Sequence, residues 1–204
     1  MLCDISYLKH HSFVRVYYDY EVQKLKIQES LKQIVSDNMI QDIKTWGLFD
    51  LADGIGEFIP QFKFLYLCTS SGIIAFESIE QYSKLKISCH EKIQLPLELE
   101  FIKREEDLIL TILSISELIL VNPMADNLVD KMEIFNYVQL QDEIHCDSLN
   151  VILKNKQNIF LDPTFLQGIK IGGIEQYKFW IENIVEHMKR SIPEKTIIEF
   201  TSSK

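Results

Sequence analysis

A chain of 204 residues with 47% apolar and 25% charged side chains is long enough to bury most of its surface around its own core, without a disulfide or metal staple. Its formal net charge of −9 speaks against non-specific nucleic-acid binding, which needs Lys and Arg to neutralise phosphates. No basic run is longer than Lys103-Arg104 or Lys189-Arg190. The longest apolar stretch, Leu108–Val121, is interrupted by Thr111, Ser114, Ser116 and Glu117, so no membrane span is expected.

Phe13–Tyr20 is rich in aromatic and β-branched residues and reads as a strand. Leu25 and Ile27 alternate with polar residues, which gives either a second strand or the start of a helix from Glu21. We read strand then helix, with Ser30 capping a helix whose face is Leu31, Ile34, Val35, Met39 and Ile43. Thr45–Pro60 mixes Asp50, Asp53, Gly54, Gly56 and Glu57 with Trp46, Phe49 and Phe58 and reads as an irregular loop closed by Pro60.

Phe62–Phe76 predicts two strands joined at Thr69–Gly72. The first is apolar on both faces: Phe64, Tyr66 and Cys68 on one, Leu65 and Leu67 on the other. Glu77–Leu85 predicts a short helix. Leu97–Phe101 alternates as a strand, Arg104–Asp107 is a charged turn, Leu108–Leu113 is the partner strand, and Glu117–Val121 is a further strand candidate. Asp126–Met132 is too short to place. Ile134–Leu140, Ile144–Leu153 and Ile159–Leu161 follow as strands, with a polar turn at Lys154–Asn158.

The strongest pattern lies near the carboxyl end. Ile174, Tyr177, Trp180, Ile181, Ile184, Val185 and Met188 recur at helical spacing over Gly173–Ser191. Lys189 and Arg190 sit in the last turn and Pro193 lies beyond. Thr196–Phe200 predicts a last short strand or an ordered tail. No repeat, low-complexity tract or composition break appears, so residues 1–204 read as a single globular domain. The fold class expected is α+β: a mainly antiparallel sheet with the C-terminal amphipathic helix and one or two further helices packed on one face.

The residues that could carry chemistry fall short of a site. Cys89-His90 and His145-Cys146 are a tetrahedral zinc set by residue type, but adjacent strand residues point to opposite faces and the short zinc-knuckle gap is missing. Cys68 with His90 or His145 is a candidate nucleophile and base, yet an apolar strand raises a thiol pKa. Placing Gly54 at the invariant sixth position of a calcium loop puts Phe49 and Leu51 at ligand positions, which rejects calcium; no Lys follows the glycines, which rejects a phosphate loop. No metal, cofactor or catalytic residue is therefore expected. The four cysteines are widely spaced, and the amino terminus lacks the apolar core of a secretory signal, so a cytoplasmic protein with reduced thiols is expected.

Strands followed by a helix of the Gly173–Met188 type resemble, over the last third of the chain, the architecture of the SMI1/KNR4 superfamily of bacterial immunity proteins. That family's amino-terminal acidic and Leu-Pro pattern is absent, so no residue is carried over. The expected function is a non-catalytic protein-binding module, immunity- or chaperone-like, whose acidic surface meets a basic protein partner. Trp46, Phe49, Asp50, Asp53 and Glu57 are the expected contacts, aromatic anchors beside carboxylates. The alternative is a small hydrolase or transferase with a Cys/His/carboxylate site.

Overall fold

The computed structural model describes residues 26–50, 56–101 and 108–200. The expected strand Phe13–Tyr20, Leu25, the expected contact Asp53 and the expected turn Arg104–Asp107 lie outside these residues. In chain order the elements are α1 (26–35), β1 (Asp42–Asp50), β2 (Glu57–Thr69), β3 (Gly72–Ile79), β4 (Lys84–His90), α2 (Leu97–Glu100), β5 (Leu108–Ser114), α3 (Ser116–Ile119), β6 (Val129–Phe135), β7 (Val138–Leu140), β8 (Glu143–Cys146), β9 (Ser148–Leu153), β10 (Asn158–Phe165), β11 (Gly168–Gly172), α4 (Ile174–Glu182) and β12 (Lys195–Glu199).

Every strand pairing is antiparallel, and the strands form two sheets. One has the order β5-β1-β2-β3-β4-β8-β7, the other β11-β10-β9-β6-β12. The α+β class with a C-terminal helix holds. The sheets face each other, and alternation along each strand supplies the core. Leu65, Leu67, Ile74, Phe76, Leu85, Ile87 and Ile144 come from the first sheet. Met132, Ile134, Leu149, Val151, Leu161 and Ile169 come from the second. Helix α1 adds Ile27, Leu31, Ile34 and Val35 to the same core.

The second sheet is buried on its other face too. Phe135 and Phe160, each next in sequence to an inward residue, point outward against Trp180 and Ile184 of the terminal helix. Ring centroids lie 5.0 Å apart for Phe135 and Trp180 and 5.5 Å for Phe160 and Trp180. The helix continues past α4 as a π-helical turn, Asn183–His187. The expected clamp of this helix on a sheet is present, although Ile174, Val185 and Met188 at its margins are 42, 41 and 48% exposed.

Local departures from the sequence reading have identifiable causes. Ile27 is helical, and Ser30 lies inside the helix, its hydroxyl donating to the Lys26 carbonyl one turn back rather than capping. The helix stops at 35, with Asp37 at φ 60°, so Met39 and Ile43 leave its face and Ile43 enters β1. Glu77–Leu85 is strand, turn and strand because β3 and β4 pair directly across it. Leu97–Phe101 and Glu117–Val121 hold the short helices α2 and α3, so β5 pairs with β1 instead. The strand expected at Ile159–Leu161 runs on through Asp162-Pro163 to Phe165 as β10, and β11 follows where no strand is expected.

Two long apolar stretches each divide between the sheets. β6 and β7 are separated at Asn136, whose φ is 51°, and β8 and β9 at Asp147. The Asn136 amide donates to the Asp147 carboxylate at 2.6 Å, and Lys84 pairs with the same carboxylate. These contacts fix the corner where the chain changes sheets.

Candidate functional site

Thr45–Pro60 is not a loop. β1 and β2 pair across it, Phe49 opposite Phe58 and Asp50 opposite Glu57, and only the tip at 51–55, including Asp53, lies outside the described residues. The aromatic residues that made the stretch look irregular fill the space left by glycines. The Phe58 ring lies over Gly47 and the Phe49 ring over Gly56, so close that a Cβ at Gly47 would stand 2.0 Å from the Phe58 ring. An aromatic across from a strand glycine restores the cover that the missing side chain removes.

A bulge then separates this hairpin end from the rest of the sandwich. Thr45 pairs with Leu65 but Trp46 with Gln61, so β2 carries extra residues between them. The fully buried Thr45 hydroxyl lies 2.8 Å from the Phe64 carbonyl and 3.3 Å from that of Gln61, satisfying groups that the ladder releases. Gly168 of β11 seats against the bulge. A Cβ there would lie 2.4 Å from the Lys63 nitrogen, and its φ of +113° favours glycine.

Beyond the bulge burial declines. Ile43 is 2% exposed, whereas Phe49 and Leu48 are half-buried, Ile59 is 40% exposed and Ile109, on the neighbouring β5, 51%. The result is a three-stranded wing with apolar side chains on both faces and Asp50 and Glu57 at its outer end. α2 lies beside it. Leu99 anchors this turn under Phe64 and Tyr66, while Leu97 and Phe101 are each 74% exposed and Lys63 meets Glu98 at 2.5 Å. Ile59, Pro60, Phe62, Lys63, Glu98 and Leu99 line a groove of about 630 Å³ between wing and helix.

The expected contact residues divide accordingly. Asp50 and Glu57 are opposite each other on one face of the wing, while Phe49, one residue along, belongs to the other face with Phe58. Trp46 does not act as an exposed anchor. It lies on the outer sheet face, its indole donating to the Tyr66 hydroxyl at 3.1 Å within the cluster that holds Leu99. Burial first, with Glu77 adding to it and Trp46 opposing, lifts the Tyr66 pKa to about 12, so this phenol stays neutral. Leu97, Phe101, Ile59 and Ile109 were not singled out from the sequence, since the first two and Ile109 read as ordinary strand positions and Ile59 fell in the stretch read as a loop.

The residues weighed for catalysis are dispersed. Cys68 faces outward and Cys89 packs toward the core, so strand alternation keeps them apart. Burial raises all three described thiols, Cys89 to about 12. His145 contacts Glu143 at 3.3 Å, and no group of three metal-binding side chains occurs among the described residues. One pair has catalytic spacing: Ser88 Oγ lies 2.8 Å from His90 Nε2, beside a groove of about 410 Å³. Burial and then Lys86 lower the His90 pKa against the pull of Glu143, so the ring is neutral and able to accept a proton. Among the described residues, however, no carboxylate bonds the other ring nitrogen to orient it. The comparisons give no further guide, because no family model, curated protein or solved structure matches the chain. No helix among the described residues is long and apolar enough to cross a membrane.

Proposed function

We propose that this protein is a non-catalytic protein-binding module, immunity- or chaperone-like, that covers a basic partner with the β1–β2–β5 wing and α2. One observation carries the reading. Beyond the bulge the sheet keeps its apolar side chains and loses its cover, leaving Ile59, Leu97 and Phe101 exposed on the side of the sheet that carries Asp50 and Glu57, with Glu98 and Glu100 beside them. Exposed apolar side chains grouped within a polar rim mark a protein interface. The carboxylates, on a chain of net charge −9, give it a sign complementary to a basic surface.

The test is binding to a panel of purified basic proteins over a salt series, with wild type, Asp50→Lys/Glu57→Lys and Ile59→Asp. Expected are complexes that weaken as salt rises, weaken further on charge reversal and are lost with Ile59→Asp, while thermal melts stay within a few degrees of wild type. Binding indifferent to salt or to the wing substitutions would overturn the proposal.

A second reading, a serine hydrolase, rests on the Ser88–His90 contact alone. A fluorophosphonate probe that labels wild type and spares Ser88→Ala would favour it. Absence of labelling removes it.

A further inference from the structure

At the corner where the chain changes sheets lies a cavity of about 980 Å³, within the size range of small-molecule sites; Tyr82 borders both this cavity and the groove beside the wing. One wall is the β3–β4 turn with Tyr82 and Ser83. The other is the end of the terminal helix, Trp180, Asn183 and Ile184, followed by Met188 and the segment Arg190–Glu194. The π turn sends this segment back over the corner: Met188 N donates to the Asn183 carbonyl at 3.0 Å and Arg190 N to that of Ile184 at 3.1 Å. Asn136 then holds Glu194 through two hydrogen bonds, its own N–H to the Glu194 carbonyl at 2.7 Å and its side-chain oxygen from the Glu194 N–H at 3.1 Å.

The backbone strain of the molecule gathers here. Tyr82 and Asn136 line the cavity with φ of 65° and 51°, and Glu80, Gln81 and Lys189, at 49°, 56° and 54°, stand next to or near lining residues. None is glycine. Such conformations persist where the surroundings impose them and gather at ligand sites, as do π turns.

The polar groups at the cavity's floor are matched to each other, and the Ser83 and Thr164 hydroxyls on its walls bond to Glu80 and Asp162 close by in sequence. Asp147 takes Asn136 and Lys84, so its charge is neutralised. Arg190 is exposed at the rim, and among the described residues its guanidinium has no ion pair or hydrogen bond; the same holds for the indole nitrogen of Trp180. Both groups only donate. The opposing carboxylate is Glu194. Tyr82, Trp180, Ile184, Met188 and Ile192 give the rest of the wall an apolar, partly aromatic character.

We propose that this corner cavity binds a small organic anion, its apolar ring against Tyr82, Met188 and Ile192 near the edge of Trp180 and its acidic group held by the Arg190 guanidinium. Arginine grips carboxylate and phosphate through the same fork of N–H groups, so either headgroup satisfies the site. The site does not depend on the wing or its partner.

The chain has two tryptophans, so Trp46→Phe leaves Trp180 as sole reporter. The full chain carrying this substitution is titrated with benzoate, phenyl phosphate and the neutral benzyl alcohol, reading tryptophan emission and melting temperature. Saturable binding of benzoate or phenyl phosphate is expected, at least tenfold weaker with Arg190→Ala, partly restored in Arg190→Lys, and at least tenfold tighter than benzyl alcohol. The ratio of the two anions identifies the preferred headgroup. Saturation by neither anion, equal binding of benzyl alcohol, or affinity unchanged by Arg190→Ala would overturn the proposal. Melts of the Arg190 variants without ligand establish that both are folded.

Discussion

Replacing Trp180 by Ala tests the packing on which the second sheet depends. The side chain is 4% exposed and touches Phe135 and Phe160 at ring separations of 5.0 and 5.5 Å. A buried aromatic removes about 150–250 Å² from water. At about 25 cal/mol per Å² that is worth roughly 4–6 kcal/mol. Allowing for what alanine still buries and for the cavity left between two rings, we expect a loss of about 4 kcal/mol, inside the range of about 3–5 for such truncations. For a chain of this size each kcal/mol moves the melting temperature by about 2–4 °C, so a fall of about 8–16 °C should follow. Phe179→Ala is the internal control. Phe179 is one residue away and of similar size, but it is 57% exposed and meets only the Lys170 ammonium, 5.5 Å from its ring. Its loss should stay near 1 kcal/mol or below. Urea unfolding followed by far-UV circular dichroism gives both values. If Trp180→Ala costs under about 1.5 kcal/mol, or if the two substitutions cost the same, the helix is not clamped as described.

Gly168→Ala should destabilise by about 2–4 kcal/mol, because it meets both a positive φ and the backbone of the bulge at Phe62 and Lys63; a urea midpoint within error of wild type would contradict this. Glu133 is nearly buried on the second sheet. Burial raises its carboxyl, but hydrogen bonding from Asn150 and the charges of Lys195 and Lys131 outweigh it and leave the pKa below the ordinary value. A depressed folded-state pKa means stability that is present above the unfolded pKa of about 4.3 and is lost as pH falls through the folded value. Glu133→Gln should therefore cost about 1 kcal/mol at pH 7 and lose less stability on acidification than wild type; parallel pH profiles for the two would refute the linkage. Because burial raises Cys68, Cys89 and Cys146, their thiolates are scarce near neutrality, and 5,5′-dithiobis(2-nitrobenzoate) should modify them far more slowly than in the urea-unfolded chain. Peptide mapping that finds Cys146 modified as fast as in urea would show the core to be open.

Long periodicities were legible and local exceptions were not. The terminal helix carries enough apolar positions at one spacing to declare itself, and Leu65, Leu67, Phe64 and Tyr66 announced a strand covered on both faces. Leu97–Phe101 failed because a single buried residue, Leu99, suffices to anchor a helical turn, and alternation with Glu98 and Glu100 cannot be told from a strand over so short a span. Thr45–Pro60 failed for a different reason: glycine and acidic residues outweighed the aromatic ones, and only the pairing of Phe58 over Gly47 and Phe49 over Gly56 turns them into strand chemistry. Of the expected contacts, Asp50 and Glu57 fall opposite each other because they share a hairpin, which proximity in sequence could foreshadow, whereas Phe49 takes the other face. The apolar half of that surface, Ile59, Leu97 and Phe101, comes from two separated segments and is visible only once the strands are paired.

The wing and the corner break different rules, and that difference bears on what is proposed for each. At the wing the backbone is regular and burial is incomplete: apolar side chains are placed as if for a core and then left without one. Such a deficit is relieved by any apolar surface of matching shape, which is what a protein partner offers. At the corner it is the backbone that departs from regularity, although Met188 and Ile192 are exposed there as well. Four left-handed conformations, at Glu80, Gln81, Tyr82 and Lys189, cost about 1–2 kcal/mol each. Their sum, about 4–8 kcal/mol, is of the same order as the whole net stability of a domain. No partner surface relieves backbone strain; what the strain achieves is to aim a fixed set of groups at a defined volume. The wing therefore calls for a surface and the corner for a small molecule, and substitutions at Ile59 and at Arg190 should separate the two.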